Sequence, residues 1–276
     1  LGMPLGAGSQ RIFYRVIQEN NRPARRTRTD VQVARTRHAV AEINGDPPLT
    51  EDIWRSTRDA DMPVTTNGFK FKSLHDGYRL GTHWEAIPNM AYRARCPLCR
   101  EGIESMEHIL LDCHSSLAPI KTVWALAKAL CDLKGITWPE LSYGLILGCG
   151  LVIFRNPKGK KLTGASRLFK IVVSESAHLI WKLRCERIHN MHQNPPEAHP
   201  PLEVEHRWIR RLNQRLTLDT LLTNRRRFGP RAIKDKLVLQ TWSGALLNED
   251  GLSDNWIHDT GVLVGITCRR PPGRNR

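Results

Sequence analysis

Hydrophobic positions recur every three to four residues through most of the chain, a period that predicts helices rather than strands. Between residues 50 and 80, Thr50 precedes Glu51, Asp52, Ile53 and Trp54 as a cap, and Phe69, Phe71, Leu74, Tyr78 and Leu80 continue a helical spacing. Ile120, Val123, Trp124, Ala127, Leu130 and Leu133 predict a second amphipathic helix ending near Gly135. The apolar run over 141–154, interrupted by Gly144, Gly148 and Gly150, falls short of the about 20 residues that span a bilayer and reads as buried core. Further helices are expected over 168–188, 202–222 and 232–247, and residues 261–266 form a short β-like run. The expected fold class is mainly α.

Proline and arginine break this pattern into regions. Pro47-Pro48, Pro195-Pro196, Pro200-Pro201 and Pro271-Pro272 punctuate the chain. Residues 1–48 read as a basic N-terminal arm. Arg22, Arg25, Arg26, Arg28, Arg35 and Arg37 face a single acid, Asp30, within 22–37, and the arm is expected to be exposed and partly disordered. Residues 49–135 read as a metal-binding module, 136–250 as an irregular, basic helical region and 251–276 as a mobile tail. Leucine at position 1 suggests a piece of a longer polypeptide.

Composition narrows the class of partner. Lys and Arg total 42 against 27 Asp and Glu, a formal charge of +15 with a pI near 9.9, which favours nucleic acid over acidic small molecules. Seven cysteines, an odd number, and no visible signal segment suit a reducing, intracellular location, nuclear rather than cytoplasmic, with no membrane and no disulfide framework. Cys131, Cys149, Cys185 and Cys268 are then free thiols. The strongest basic concentration is residues 207–236, with ten positive residues against Asp219 and Asp235. Arg207, Arg210, Arg211, Arg215, Arg225, Arg226 and Arg227 are the candidate phosphate contacts there, giving salt-dependent, sequence-indifferent binding. Phe228 and, were it exposed, Trp208 would add base stacking, although the apolar spacing puts Trp208 in the core.

One stretch demands specific chemistry. Cys96-Pro97-Leu98-Cys99 forms a tight knuckle whose thiolates can grip one ion, and His108 with Cys113 supplies a second pair, so Cys96, Cys99, His108 and Cys113 are the expected zinc ligands. Four protein ligands leave no open coordination position, which makes such a site structural rather than hydrolytic. Structural zinc contributes on the order of 10 kcal/mol to folding in finger peptides, so the metal would tie the preceding and following helices together. Three thiolates and a neutral imidazole leave a zinc cluster at net −1. Arg93, Arg95 and Arg100 lie close in sequence, either to offset that charge or to meet a phosphate backbone. His114 is a weaker ligand candidate. A second corner, Cys185-x3-His189-x2-His192, lacks a fourth ligand and reads as packing and surface.

These residues carry a family resemblance. Residues 69–80, FKFKSLHDGYRL, followed by Cys96-Pro97-Leu98-Cys99, Glu104-Ser105, His108 and Cys113, resemble the reverse transcriptase zinc-binding domain of non-LTR retrotransposons over about residues 66–130. In that family an aromatic helix precedes a Cys-Pro-x-Cys knuckle, and a Glu-Ser or Glu-Thr step precedes the histidine. The Arg-rich region beyond is similar to the downstream part of fungal retroelement polyproteins. The resemblance implies zinc at the same four positions and a role in holding RNA or DNA beside polymerase and RNase H parts. No Tyr-x-Asp-Asp signature and no RNase H carboxylate set is present, so no catalysis is expected. The sequence therefore points to a non-catalytic, zinc-stabilised nucleic-acid-binding region. A helical protein-interaction scaffold or a decayed element fragment are the alternatives.

Overall fold

A computed structural model gives the structure of the protein for residues 6, 8–21, 26–190 and 199–266. In chain order its helices are α1 (Gln10–Asn20), α2 (Thr27–Asn44), α3 (Thr50–Arg55), α4 (Val64–Leu74), α5 (Thr82–Glu85), α6 (Ile120–Leu133), α7 (Tyr143–Gly148), α8 (Thr163–Asn190), α9 (Pro201–Leu222), α10 (Arg225–Phe228) and α11 (Asp235–Trp242). The chain is mainly α. Among the described residues, β pairing is limited to three isolated antiparallel bridges, Arg95–Ile103, Arg155–Lys161 and Leu246–Val264.

The apolar period of 168–188 becomes α8, against which α4, α6, α7, α9 and α11 pack. Residues 171–180 of α8 are buried on every side, the state expected of a helix enclosed by neighbours rather than laid on a surface. Its polar members there are satisfied internally. Ser176 accepts from Trp208 Nε1 at 2.8 Å, Glu175 accepts from Arg211, and His178 Nδ1 lies 3.0 Å from Thr66 Oγ1. The larger of two hydrophobic clusters among the described residues joins residues from Ala39 to Val264, and so runs across positions 48, 135 and 250.

A buried charge network ties the C-terminal helices to this core. Arg167 of α8 donates to Asp219 of α9 at 2.6 and 3.0 Å, to Asp61 at 3.0 Å and to Thr241 of α11 at 3.1 Å. Trp242 Nε1 donates to Asp219 at 2.8 Å, and Lys170 bridges Asp59 and Asp61 at 2.8 and 2.6 Å. Each charge of this network thereby has an opposite partner, the condition under which such buried groups are tolerated.

The structure corrects several expectations. Within the basic arm, residues 27–44 are an ordered helix, α2, packed mainly on α7, with Thr29, Thr36, Ala39 and Val40 buried. The approach is close because α7 offers glycine. A Cβ on Gly144 would stand 2.4 Å from Arg35 O, and one on Gly148 2.4 Å from Val40 Cγ2. Thr50 is the first residue of α3, with Leu49 in the cap position. Tyr78 and Leu80 lie beyond α4, which ends before Asp76 adopts a left-handed φ of 46°. The helix expected over 232–247 is only α11, bounded by extended Lys234 and by Ser243 before Gly244 at φ 85°. The β-like run supplies one bridge at Val264. Arg22, Arg25, His192, Cys268 and the tail beyond residue 266 fall outside the described residues. Among those described, no helix is long and apolar enough to cross a membrane.

Candidate metal centre

The knuckle is a miniature hairpin. The Arg95–Ile103 bridge, with Glu104 N donating to Ala94 O at 2.8 Å and Cys96 N donating to Gly102 O at 2.9 Å, folds 94–104 back on itself. Arg100 turns the loop at φ 61°, donating its N–H to Cys96 O at 2.9 Å. Gly102 leaves room for the imidazole, since a Cβ there would meet His108 Cε1 at 3.2 Å.

His108 and Cys113 are presented by a π-helical turn, His108–Asp112. On an α-helix, at about 100° per residue, positions five apart would diverge by about 140°. The wider turn, closed by Cys113 N donating to His108 O at 2.9 Å, stacks them one turn apart. Ser105 starts this turn, its Oγ accepting from His108 N at 2.9 Å. Glu104, which is buried, accepts from Arg184 of α8 through both carboxylate oxygens. Glu107 accepts from Arg35 of α2. The Glu104-Ser105 step thus has a physical role, one residue anchoring the turn and the next capping it.

The four side chains converge. Cys96 Sγ lies 3.8 Å from Cys113 Sγ, and Cys99 Sγ 3.4 Å from His108 Nε2. All four donor atoms lie within 4.8 Å of one another, so the group could hold a metal ion. Cys96 and Cys113 are buried with Ala118 and Ile120, and Leu98, Cys99 and Trp124 pack around them. Trp124 Nε1 donates to Leu110 O at 2.8 Å, fastening α6 to the turn. Burial pushes the Cys96 thiol up to about 12. For Cys99 burial also works upward, but backbone N–H groups of Gly102 and Glu101 outweigh it and lower the thiol. A metal must displace these protons to bind. His114 turns away and meets Glu101 at 3.1 Å.

The other candidate residues separate into two groups. Arg93 lies 4.2 Å over the Trp84 ring and Arg95 donates to Glu101 O at 3.2 Å, while Arg100 is exposed at the knuckle tip. On α9, Arg215 is buried and pairs with Asp219 at 3.0 Å. Arg207 pairs with Glu186 at 2.7 Å and Glu203 at 3.2 Å, and Arg211 pairs with Glu175. The basic face expected there is largely an internal ion-pair seam, because its carboxylate partners come from other turns and other helices. Arg210, Arg225, Arg226 and Arg227 are exposed. Trp208 is fully buried, which removes it from base stacking.

Arg184 and Arg187 were not among the expected site residues, yet both reach the metal centre from α8. Arg187 is buried, and burial lowers its pKa against the raising influence of Cys96 and Glu104. Their only sequence signal is a pair of cations three residues apart on a helix otherwise destined for the core. No family model, curated protein or solved structure matches the chain.

Proposed function

We propose that the chain is a non-catalytic, zinc-stabilised nucleic-acid-binding region of the retroelement type, positioned beside polymerase and RNase H parts of a polyprotein. The observation that carries this reading is the shape of the four-donor cluster. Tetrahedral zinc with Zn–S of about 2.3 Å and Zn–N of about 2.0–2.1 Å gives edges of about 3.8 Å between sulfurs and about 3.5 Å between sulfur and nitrogen. One sulfur pair, Cys96–Cys113, stands at 3.8 Å and one sulfur–nitrogen pair, Cys99–His108, at 3.4 Å, with all four donor atoms inside 4.8 Å. Three sulfurs favour zinc over the hard, oxygen-seeking cations, and a filled coordination sphere suits a structural role.

Phosphate contact belongs to residues 225–236 rather than to α9. Arg225, Arg226, Arg227, Arg231, Lys234 and Lys236 are all exposed, with Asp235 the one acid among them. Bound polynucleotide would release counterions from such a run, so affinity should fall steeply with salt. A second reading, a scaffold for protein partners, is favoured by α1, which buries none of its residues and exposes Ile12, Tyr14, Val16 and Ile17.

Metal analysis and a salt titration test both readings. One equivalent of zinc per chain, lost in Cys99→Ala or His108→Ala with a drop in melting temperature, is the expected result; full retention in both variants refutes the ligand set. Binding to generic RNA or DNA at about 150 mM salt that weakens sharply above it supports nucleic acid, whereas no binding at about 50 mM favours the scaffold.

A further inference from the structure

We infer that Arg187 of α8 is a positioning residue of the metal centre, its guanidinium serving as the buried counter-charge to the metal-bound sulfurs of Cys96 and Cys113. This deepens the zinc reading and rests on it.

Burial comes first. Arg187 is only 5 % exposed, and its Nε has no hydrogen-bond partner among the described residues. An arginine donor withdrawn from water and left unsatisfied is costly, so a nearby acceptor is called for. Glu104 lines the same cleft but is already bonded through both carboxylate oxygens to Arg184. The other side chains lining that cleft that can accept are the sulfurs of Cys96 and Cys113. The cleft holds about 10 Å³, too little for anything larger than about one water molecule, so no separate ligand is implied.

The formal charges around the site also balance. A divalent ion with three thiolates and a neutral imidazole carries −1, Glu104 carries −1, and Arg184 and Arg187 carry +1 each, so the buried set is neutral only when the metal is bound. The other arginines near the knuckle do not take the place of Arg187. Arg93 lies over Trp84, Arg95 donates to a backbone carbonyl, and water screens Arg100. Neighbours of this kind typically alter metal affinity by about 10–100-fold.

The test compares zinc affinity, by chelator competition, in the wild-type chain, Arg187→Met and Arg187→Lys, with the cobalt-substituted absorption spectrum checking that the sulfur ligands stay in place. Arg187→Met is expected to bind about 10–100-fold more weakly with an unchanged cobalt spectrum, and Arg187→Lys to regain most of the loss because it keeps the charge. Should the methionine variant not fold, the Arg187 Nε–H proton resonance of the wild-type chain decides, and it should move on zinc loading. An unmoved resonance, or a folded Arg187→Met with wild-type affinity, overturns the inference while leaving the zinc site standing. A wild-type chain that takes up no zinc removes the zinc reading and this inference together.

Discussion

Asp219 has no solvent exposure, and Arg167, Arg215 and Trp242 converge on its two oxygens. Truncation would leave Asp61 as the one carboxylate among the described residues against two buried guanidinium groups, at 3.0 Å from Arg167 and 4.0 Å from Arg215, and Asp219→Ala is expected to cost about 3–5 kcal/mol in urea unfolding. A cost under about 1 kcal/mol would show that water reaches the network. At this scale the sequence is uneven. Cys96, Cys99, His108 and Cys113 are readable because ligand spacing is local chemistry, and the structure brings those four side chains together. The fates of Arg207, Arg211 and Arg215 are not readable. A charge count registers the cations but cannot see that Glu186, Glu175 and Asp219 meet them in space.

Among the elements, α6, α8 and α9 follow directly from apolar periodicity, because α6 and α9 lay a hydrophobic stripe against a large core whose centre is the enclosed stretch 171–180 of α8. Helix α2 does not announce itself. Its buried face is mostly small or polar, Thr29, Thr36, Ala39 and Val40, and Arg28, Arg35 and Arg37 interrupt its apolar positions. What seats it is the backbone approach at Gly144 and Gly148 of α7. Gly144→Ala is expected to force the pair apart, costing about 1–3 kcal/mol and lowering the melting temperature, whereas an unchanged melting curve would mean the crossing yields freely. Helix α8 carries a pH-sensitive contact. Burial, then the charges of Arg211 and Lys182, lower His178 to about 4 from 6.5, and Arg211 donates to its Nδ1 at 2.7 Å. Around it stand Thr66 and Phe69 of α4 and Glu175 of α8. The folded chain keeps this imidazole neutral while the unfolded chain protonates below 6.5, so its stabilisation is complete above that pH and lost as pH falls toward about 4. Urea midpoints should therefore drop less between pH 7 and pH 4.5 in His178→Gln than in the wild type; parallel slopes would refute the assignment.

For the whole molecule, net charge describes the partner class only after internal pairing is subtracted. The +15 of the sequence includes arginines committed to carboxylates, and the exposed surplus concentrates at 225–236. Replacing Arg225, Arg226 and Arg227 with alanine is expected to weaken polynucleotide binding and lower the salt slope by about 2–3, with the unfolding midpoint unchanged. Arg215→Ala should do the reverse, destabilising the fold without altering the salt slope. Equal loss of binding in both variants would return the contact surface to α9.

Glu104 and Glu107 pull the histidine-bearing turn in two directions, toward Arg184 of α8 and Arg35 of α2. Excising residues 49–135 as a minimal finger would therefore keep every ligand and discard both anchors. Such a peptide would carry two orphaned carboxylates beside its sulfurs and be a poor surrogate for the parent. During synthesis the order is the same: the thiols leave the ribosome well before α8 does, so early metal capture would precede the final fastening of the turn.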